Sequence, residues 1–289
     1  MGQQMYTLLA CLMIGSPSSL QLGYEHISLF VRVGEHFGTV YTSPPAGGAD
    51  FVIFQGEPIK VELEIFNEGS KEAVVVTGGI APKDAFHMVV VEAPMPKVKT
   101  RLSLEVSPSV KLRLTNAEMS THWSEQIVLP PQSGLKFKAM VVSDSERLPT
   151  GIYKLKFRSL LKSASGKDIP ANNDTFTFEI RAVETFEDRL EVLIREATWL
   201  FVREKYQEAE KKINELLLLY PNSAASYGMK GFIARVRGRK EEAVKAYKKA
   251  LDLLRSKNDT IYLSHASSVE VEHVIGTLLA TLRSLQKSK

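Results

Sequence analysis

The feature that most constrains this chain is a spacing of 34 residues between small side chains in its last third. The equivalent pairs are Ala197 and Gly231, Ala209 and Ala243, Ile213 and Tyr247, and Leu216 and Ala250. Helices whose axes approach to about 8–10 Å need small side chains at the contact, and a proline such as Pro221 ends a helix. The spacing therefore predicts two helical units, residues 190–223 and 224–257, that pack side by side.

The period, the small residues and the proline together resemble the tetratricopeptide repeat, whose unit is a helix, a turn and a second helix. The resemblance implies that residues 186–289 form an all-α array in which the first helix of each pair lines a groove for a protein partner. It assigns these residues to the groove: Ile194, Thr198, Phe201, Phe232 and Arg235. It assigns these residues to contacts within and between the units: Ala197, Ala209, Gly231, Ala243 and Ala250. The amphipathic residues 268–286 predict a degenerate third unit or a C-terminal capping helix.

The groove assigned in this way is apolar with one positive charge. Phe201, Phe232 and Arg235 suit an apolar protein segment. Ile194 and Thr198 stand where the carboxylate-binding grooves of this family carry lysine and asparagine, so recognition of a chaperone tail is not expected. The sequence leaves open that both phenylalanines pack under the β-domain or under the terminal helix instead.

Residues 24–183 differ from the helical region in composition and pattern. They contain short runs of alternating or β-branched residues, separated by proline, glycine and asparagine. This pattern predicts an antiparallel sandwich or barrel of short strands. In Ile59–Phe66, apolar residues alternate with Lys60, Glu62 and Glu64. The alternation predicts that one face of this strand meets a core and the other meets water.

Two stretches of this region carry a second resemblance. Gln55–Pro58 with the strand that follows, and Leu148–Leu155, resemble bacterial immunoglobulin-like domains. The resemblance implies an antiparallel β-sandwich in residues 24–183. The predicted fold class is therefore multidomain: an all-β immunoglobulin-like antiparallel sandwich followed by all-α tetratricopeptide hairpins.

The N-terminus predicts export. Residues 1–22 contain an apolar run, Tyr6–Ile14, followed by small residues, which is typical of a secretory signal and too short to span a membrane. Leu8–Cys11 resembles a bacterial lipoprotein box, which makes Cys11 a candidate lipid anchor. No lysine or arginine precedes the run, so an ordinary buried strand or helix is the alternative. We predict a periplasmic or extracellular bacterial protein without a transmembrane segment, or a cytoplasmic one if the run is not a signal.

Charge and motifs exclude several classes of function. Acidic and basic residues balance in residues 1–183, so the net charge of +4 belongs to residues 184–289. The basic residues of 230–249 are not accompanied by a series of stacking aromatic residues and are typical of a solvated helix face, so no nucleic-acid partner is expected. The chain contains no glycine-rich phosphate loop, no GxSxG elbow and no HExxH motif, and its six histidines are scattered. We therefore predict no enzymatic activity, no cofactor and no metal site.

What remains is a binding function. The sequence predicts a non-catalytic scaffold that binds protein partners through the helical groove. The alternative is that loops of the β-domain, such as Ser43–Ala49 or Gly78–Ala85, bind carbohydrate or inhibit a peptidase, with the helices as a docking module.

Overall fold

The structure is a computed structural model that describes residues 26–33, 39–94, 101–143, 148–173 and 175–287. These residues form two compact units. The β unit contains residues 26–33 and 45–181, and the helical unit contains residues 39–44 and 182–287. The predicted export segment, residues 1–22 with Cys11, lies outside the described residues, so export and lipidation stay predictions.

The β unit is built from short strands that turn residues separate. In chain order they are β1 (Ile27–Val33), β2 (Phe51–Phe54), β3 (Ile59–Asn67), β4 (Ala73–Val76), β5 (Phe86–Glu92), β6 (Leu102–Leu114), β7 (Ala117–Ser120), β8 (Gln126–Leu129), β9 (Ser133–Ser143), β10 (Gly151–Ser159), β11 (Lys162–Ser163), β12 (Ala171–Asn173) and β13 (Thr175–Arg181). A short 3-10 turn, Pro82–Asp84, precedes β5.

The strands make three sheets, with the orders β12-β1-β3-β9-β6-β7, β2-β13-β10-β5 and β11-β4-β8. Most neighbouring strands are antiparallel, but β12 runs parallel to β1, and β2 runs parallel to β13. Apolar side chains from all three sheets share one core, in which Leu63, Leu129, Phe137 and Phe178 are fully buried. Burial of these side chains is the main contribution to the stability of this unit.

Strand β3 shows the expected alternation with one exception. Its apolar residues lie in the core, as predicted, but Glu64 on the opposite face is also buried, so the prediction that it meets water is wrong. Its carboxylate accepts a hydrogen bond from Arg113 on β6 at 3.0 Å and lies 3.7 Å from Arg32 on β1. Gly134 on the intervening strand β9 leaves the space for this bridge, because a Cβ there would lie 2.7 Å from a Glu64 oxygen. Arginines from the adjacent strand β1 and from β6, two strands away, therefore place positive charge next to this carboxylate.

The helical unit contains helices of unequal length among its described residues. They are α1 (Phe186–Val202), α2 (Tyr206–Leu219), α3 (Ala224–Val236), α4 (Lys240–Arg255), α5 (Thr260–His265) and α6 (Ser268–Lys287). Helix α1 begins with a capping box, in which the Thr185 hydroxyl accepts from the Asp188 N–H and the Asp188 carboxylate accepts from the Thr185 N–H. Helix α3 begins at the N-cap Ser223.

The fold class predicted from the sequence is wrong. The β unit is not purely antiparallel, because β12 pairs with β1 and β2 pairs with β13 in parallel, and its strands form three sheets. The helices are not clearly tetratricopeptide hairpins: α1 has 17 residues and α3 has 13, and the chain continues as a six-residue α5 and a 20-residue α6. Equal hairpins would be needed for a regular stack, and the 34-residue spacing of small side chains does not by itself impose equal helix lengths.

None of the helices in the described ranges is both long enough and apolar enough to cross a lipid bilayer.

Candidate functional site

The small residues assigned to helix contacts are all buried in the helical unit: Ala197, Ala209, Gly231, Ala243 and Ala250. Gly231 on α3 faces the ring of Tyr247 on α4, and a Cβ at this glycine would lie 2.8 Å from a ring carbon. Helices α3 and α4 can therefore approach closely only because position 231 has no side chain.

Three residues assigned to the groove lie together near the C-terminal ends of α1 and α3. The Phe201 and Phe232 rings meet edge to face with their centroids 4.8 Å apart, and the Arg235 guanidinium lies 4.8 Å from the centre of the Phe232 ring. All three are half-buried. Val202 and Val236, on the same two helices, are 49% and 46% exposed. We call these five residues the Phe201 face.

The other two assigned residues are not at the surface. Ile194 is buried in a cluster with Tyr41, Leu190 and Leu216. Thr198 is also buried, and its hydroxyl donates to the Ile194 carbonyl at 2.7 Å. The prediction that Ile194 and Thr198 line an open groove is therefore wrong. Ile194 is buried because another segment of the same chain covers it.

The covering segment is residues 39–44, which we call the strap. It bends at residues 40–42, and its chemistry centres on the buried carboxylate of Glu191 on α1. One oxygen of this carboxylate accepts two consecutive backbone hydrogen bonds, from Val40 N–H at 2.7 Å and from Tyr41 N–H at 2.8 Å. The other oxygen accepts from Nε of Arg195, one helical turn later, at 3.0 Å. A buried carboxylate is stable here because donors surround both of its oxygens.

The side chain of Tyr41 anchors the strap. It is completely buried, and its ring meets that of Tyr220 edge to face at 6.1 Å. Its hydroxyl is hydrogen-bonded to the hydroxyl of Ser223, which also donates to Ser226 at 2.6 Å. Burial raises the pKa of Tyr41 well above its ordinary value, so this hydroxyl keeps its proton.

The same region contains a buried acid. Asp259, which caps α5, accepts hydrogen bonds from Ala224 N–H at 2.7 Å, from the Tyr220 hydroxyl at 3.0 Å and from Tyr262 N–H at 3.2 Å. Burial raises the pKa of this carboxyl above its ordinary value of 3.8, against the opposing effect of these hydrogen bonds. Asp259 therefore ties the start of α3 to the start of α5, next to the residues that hold Tyr41.

The raised pKa of Asp259 predicts a pH dependence. Because the folded state holds this proton more tightly than the unfolded chain, the stability it contributes is complete below pH 3.8 and is lost as the pH rises through the folded pKa. The deficit of an Asp259→Asn variant relative to wild type should therefore shrink as the pH is raised from below 3.8. Urea denaturation of both proteins across this range measures it, and a deficit that is constant or grows with pH contradicts the prediction.

Sequence reasoning missed the strap. Ser223 carries a recognisable signal, since a serine just before a helical pattern is a typical N-cap. Tyr41 carries none, because it precedes Pro44 and Pro45 in a stretch that indicates only a chain break, far in sequence from α1. The loops named for the alternative function, Ser43–Ala49 and Gly78–Ala85, are mostly exposed or half-buried. Within the described part of the chain, no group of three or more histidine, cysteine or acidic residues is arranged to hold a metal ion.

No family model matches this chain, and no curated protein matches it. Two solved structures are similar to parts of it. The alkylpurine DNA glycosylase AlkC of Pseudomonas fluorescens, bound to DNA containing an abasic site analog, shares 9% identity over 55% of this chain and 32% of that chain, with a TM-score of 0.21. The ASH / PapD-like domain 7 of human CEP192 shares 9% identity over 61% of this chain and 98% of that one, with a TM-score of 0.17.

This chain therefore spans only about a third of the length of the glycosylase chain, since the alignment covers 32% of it. With TM-scores of 0.21 and 0.17, neither likeness carries an argument about fold or function.

Proposed function

We propose that this protein is a non-catalytic scaffold whose helical unit binds a segment of a protein partner through the Phe201 face. The observation that carries the proposal is the contact of Phe201, Phe232 and Arg235, which combines two aromatic rings with a guanidinium. Aromatic residues and arginine are the side chains that most often dominate the binding energy of protein interfaces. The exposed valines at positions 202 and 236 extend the apolar surface around them.

The composition of the face predicts the chemistry of the partner. An apolar side chain laid against Phe201 and Phe232 would remove their half-buried rings from water, at about 25 cal/mol per Å² of apolar surface. A carboxylate next to it would meet the Arg235 guanidinium, which forms charge-assisted hydrogen bonds with carboxylates. The proposed ligand is therefore a protein segment with an apolar residue beside an aspartate or glutamate.

The test uses the full-length chain and a library of displayed peptides, so the partner need not be known beforehand. We expect the selected peptides to share a large apolar residue next to an acidic one. The double variant Phe201→Glu and Phe232→Glu should lower the affinity of these peptides at least tenfold, because it places negative charge on the face and removes its apolar surface. Isothermal titration calorimetry measures the affinities.

Leu218→Glu is the matched control. Leu218 is also apolar but 84% exposed, on α2 and outside the Phe201 face, so this variant should bind the selected peptides as the wild type does. Equal affinity for the wild type and the double variant would contradict the proposal. So would a selection that shows no preference for acidic residues, or one whose preference survives the change Arg235→Gln.

A further inference from the structure

The strap has the features of a bound ligand. Its contacts divide into a part that any chain with the same bend could make and a part that is specific for its sequence. The Glu191 carboxylate accepts hydrogen bonds from the N–H groups of two consecutive residues, so this contact recognises only the backbone. The Tyr41 side chain is fully buried, and its hydroxyl is hydrogen-bonded to Ser223, which is in turn hydrogen-bonded to Ser226. This contact is specific for a tyrosine side chain. This division between backbone and side-chain recognition is typical of sites that bind peptides.

The strap is also an imperfect occupant of this cleft. The side chain of Thr42 is only 5% exposed, and its hydroxyl has no hydrogen-bond partner among the described residues. A buried hydroxyl without a partner destabilises the bound state, because it has given up its hydrogen bonds to water. A segment with an apolar residue of the same shape in this place would avoid that loss.

From these contacts we infer that the cleft formed by Glu191, Ser223 and Ser226 is a second binding site, distinct from the Phe201 face, for a segment of a partner protein that bends as residues 40–42 do. The segment carries a tyrosine followed by a β-branched apolar residue. The strap is the internal competitor for this site. Because it is tethered, it competes at an effective concentration that is on the order of millimolar for short linkers. A partner binds when its segment fits better than residues 39–44 do.

The proposal is tested with the full-length chain and capped, fluorescently labelled peptides of residues 39–44. In the Tyr41→Ala variant the strap has lost its anchor and leaves the cleft more often. Since the apparent affinity of a ligand scales with the fraction of open sites, this variant should bind the peptide at least tenfold more tightly than the wild type does. Fluorescence anisotropy measures both affinities. Equal affinities, or no binding to either protein, would overturn the inference.

Changes within the peptide separate the two parts of the recognition without touching the protein. A Tyr41→Ala peptide should bind the Tyr41→Ala protein at least tenfold more weakly than the natural peptide. A Thr42→Val peptide should bind about tenfold more tightly, because valine fills the place of threonine without burying a hydroxyl. A Thr42→Val peptide that binds no more tightly than the natural one would overturn the assigned sequence preference.

Two controls keep the result interpretable. If Tyr41→Ala does not unfold cooperatively, Tyr41→Phe takes its place, since it keeps the ring and removes only the hydroxyl, and it should still bind the peptide more tightly than wild type. Adding Phe201→Glu and Phe232→Glu to the Tyr41→Ala protein should leave peptide binding unchanged. Loss of binding in that protein would mean that the peptide had bound the Phe201 face, which would overturn this inference and leave the proposed function standing.

Discussion

Replacing Glu191 with alanine should lower the free energy of unfolding of the helical unit by about 3–5 kcal/mol. The carboxylate is fully buried and its partner Arg195 is 6% exposed, so the variant leaves a positive charge with its main counter-charge removed. It also removes the acceptor of the Val40 and Tyr41 N–H groups. Denaturation followed by far-ultraviolet circular dichroism, which reports the helices, measures the change.

Glu196→Ala is the matched control for this experiment. It removes the same side chain five residues later on α1, where the carboxylate is 48% exposed and pairs with Lys212 at 3.0 Å. Ion pairs exposed to solvent contribute about 0–1 kcal/mol, so the loss should stay within that range. If the two variants lose the same stability, Glu191 is not the buried centre of the contact between the strap and α1.

The second large effect concerns Gly231. We expect Gly231→Ala to be about 2 kcal/mol less stable than Gly228→Ala, although both changes are made in helix α3. A Cβ at position 231 would lie 2.8–3.0 Å from three ring carbons of Tyr247, whereas a Cβ at position 228 meets nothing within 4 Å. The Tyr247 ring is itself buried, so it cannot move aside without disturbing the contact between α3 and α4.

Both substitutions replace glycine with alanine within α3 and gain the same helix propensity. The difference between the stabilities of the two variants therefore measures the effect of the new Cβ on packing against Tyr247. Gly228→Ala alone should stabilise the protein by about 0.5–1 kcal/mol, since alanine is the better helix former. Thermal denaturation of both variants gives the comparison. Two variants of equal stability, or a stabilising Gly231→Ala, would show that α3 and α4 do not meet at position 231.

Local patterns in the sequence predict the strands and helices well. The strand Ile59–Asn67 extends only one residue beyond the stretch Ile59–Phe66 expected from its alternation. The burial of Ala209 and Ala243 follows from the same kind of reasoning, because small side chains at a fixed spacing mark helix contacts. Such features depend on neighbours within a few residues or on one repeated distance.

Features that depend on contacts between distant parts of the chain could not be predicted from these local patterns. No periodicity indicates that β2 runs parallel to β13, because strand direction depends on the path of the chain between them. The alternation in β3 predicts that Glu64 faces solvent. Its burial follows only from the position of Arg113, two strands away in the same sheet.

The candidate site divides in the same way. The resemblance assigns Phe201 and Phe232 to one surface, and their rings meet in the structure. Ile194 and Thr198 occupy comparable positions on α1, yet both are buried, and Ile194 packs in a cluster with Tyr41 from the strap. The backbone of the strap is held on α1 by a single carboxylate, that of Glu191. One such contact produces no regular pattern in the sequence.

The central claim is that the helical unit holds a bent segment of its own chain, residues 39–44, through Glu191. Amide hydrogen exchange at Val40 and Tyr41, followed by nuclear magnetic resonance, tests this most directly. Both amides should exchange slowly in the wild type and quickly in the Tyr41→Ala variant, while the amides of α1 remain protected in both proteins. Exchange of Val40 and Tyr41 in the wild type at the rate of an unstructured peptide would contradict the claim.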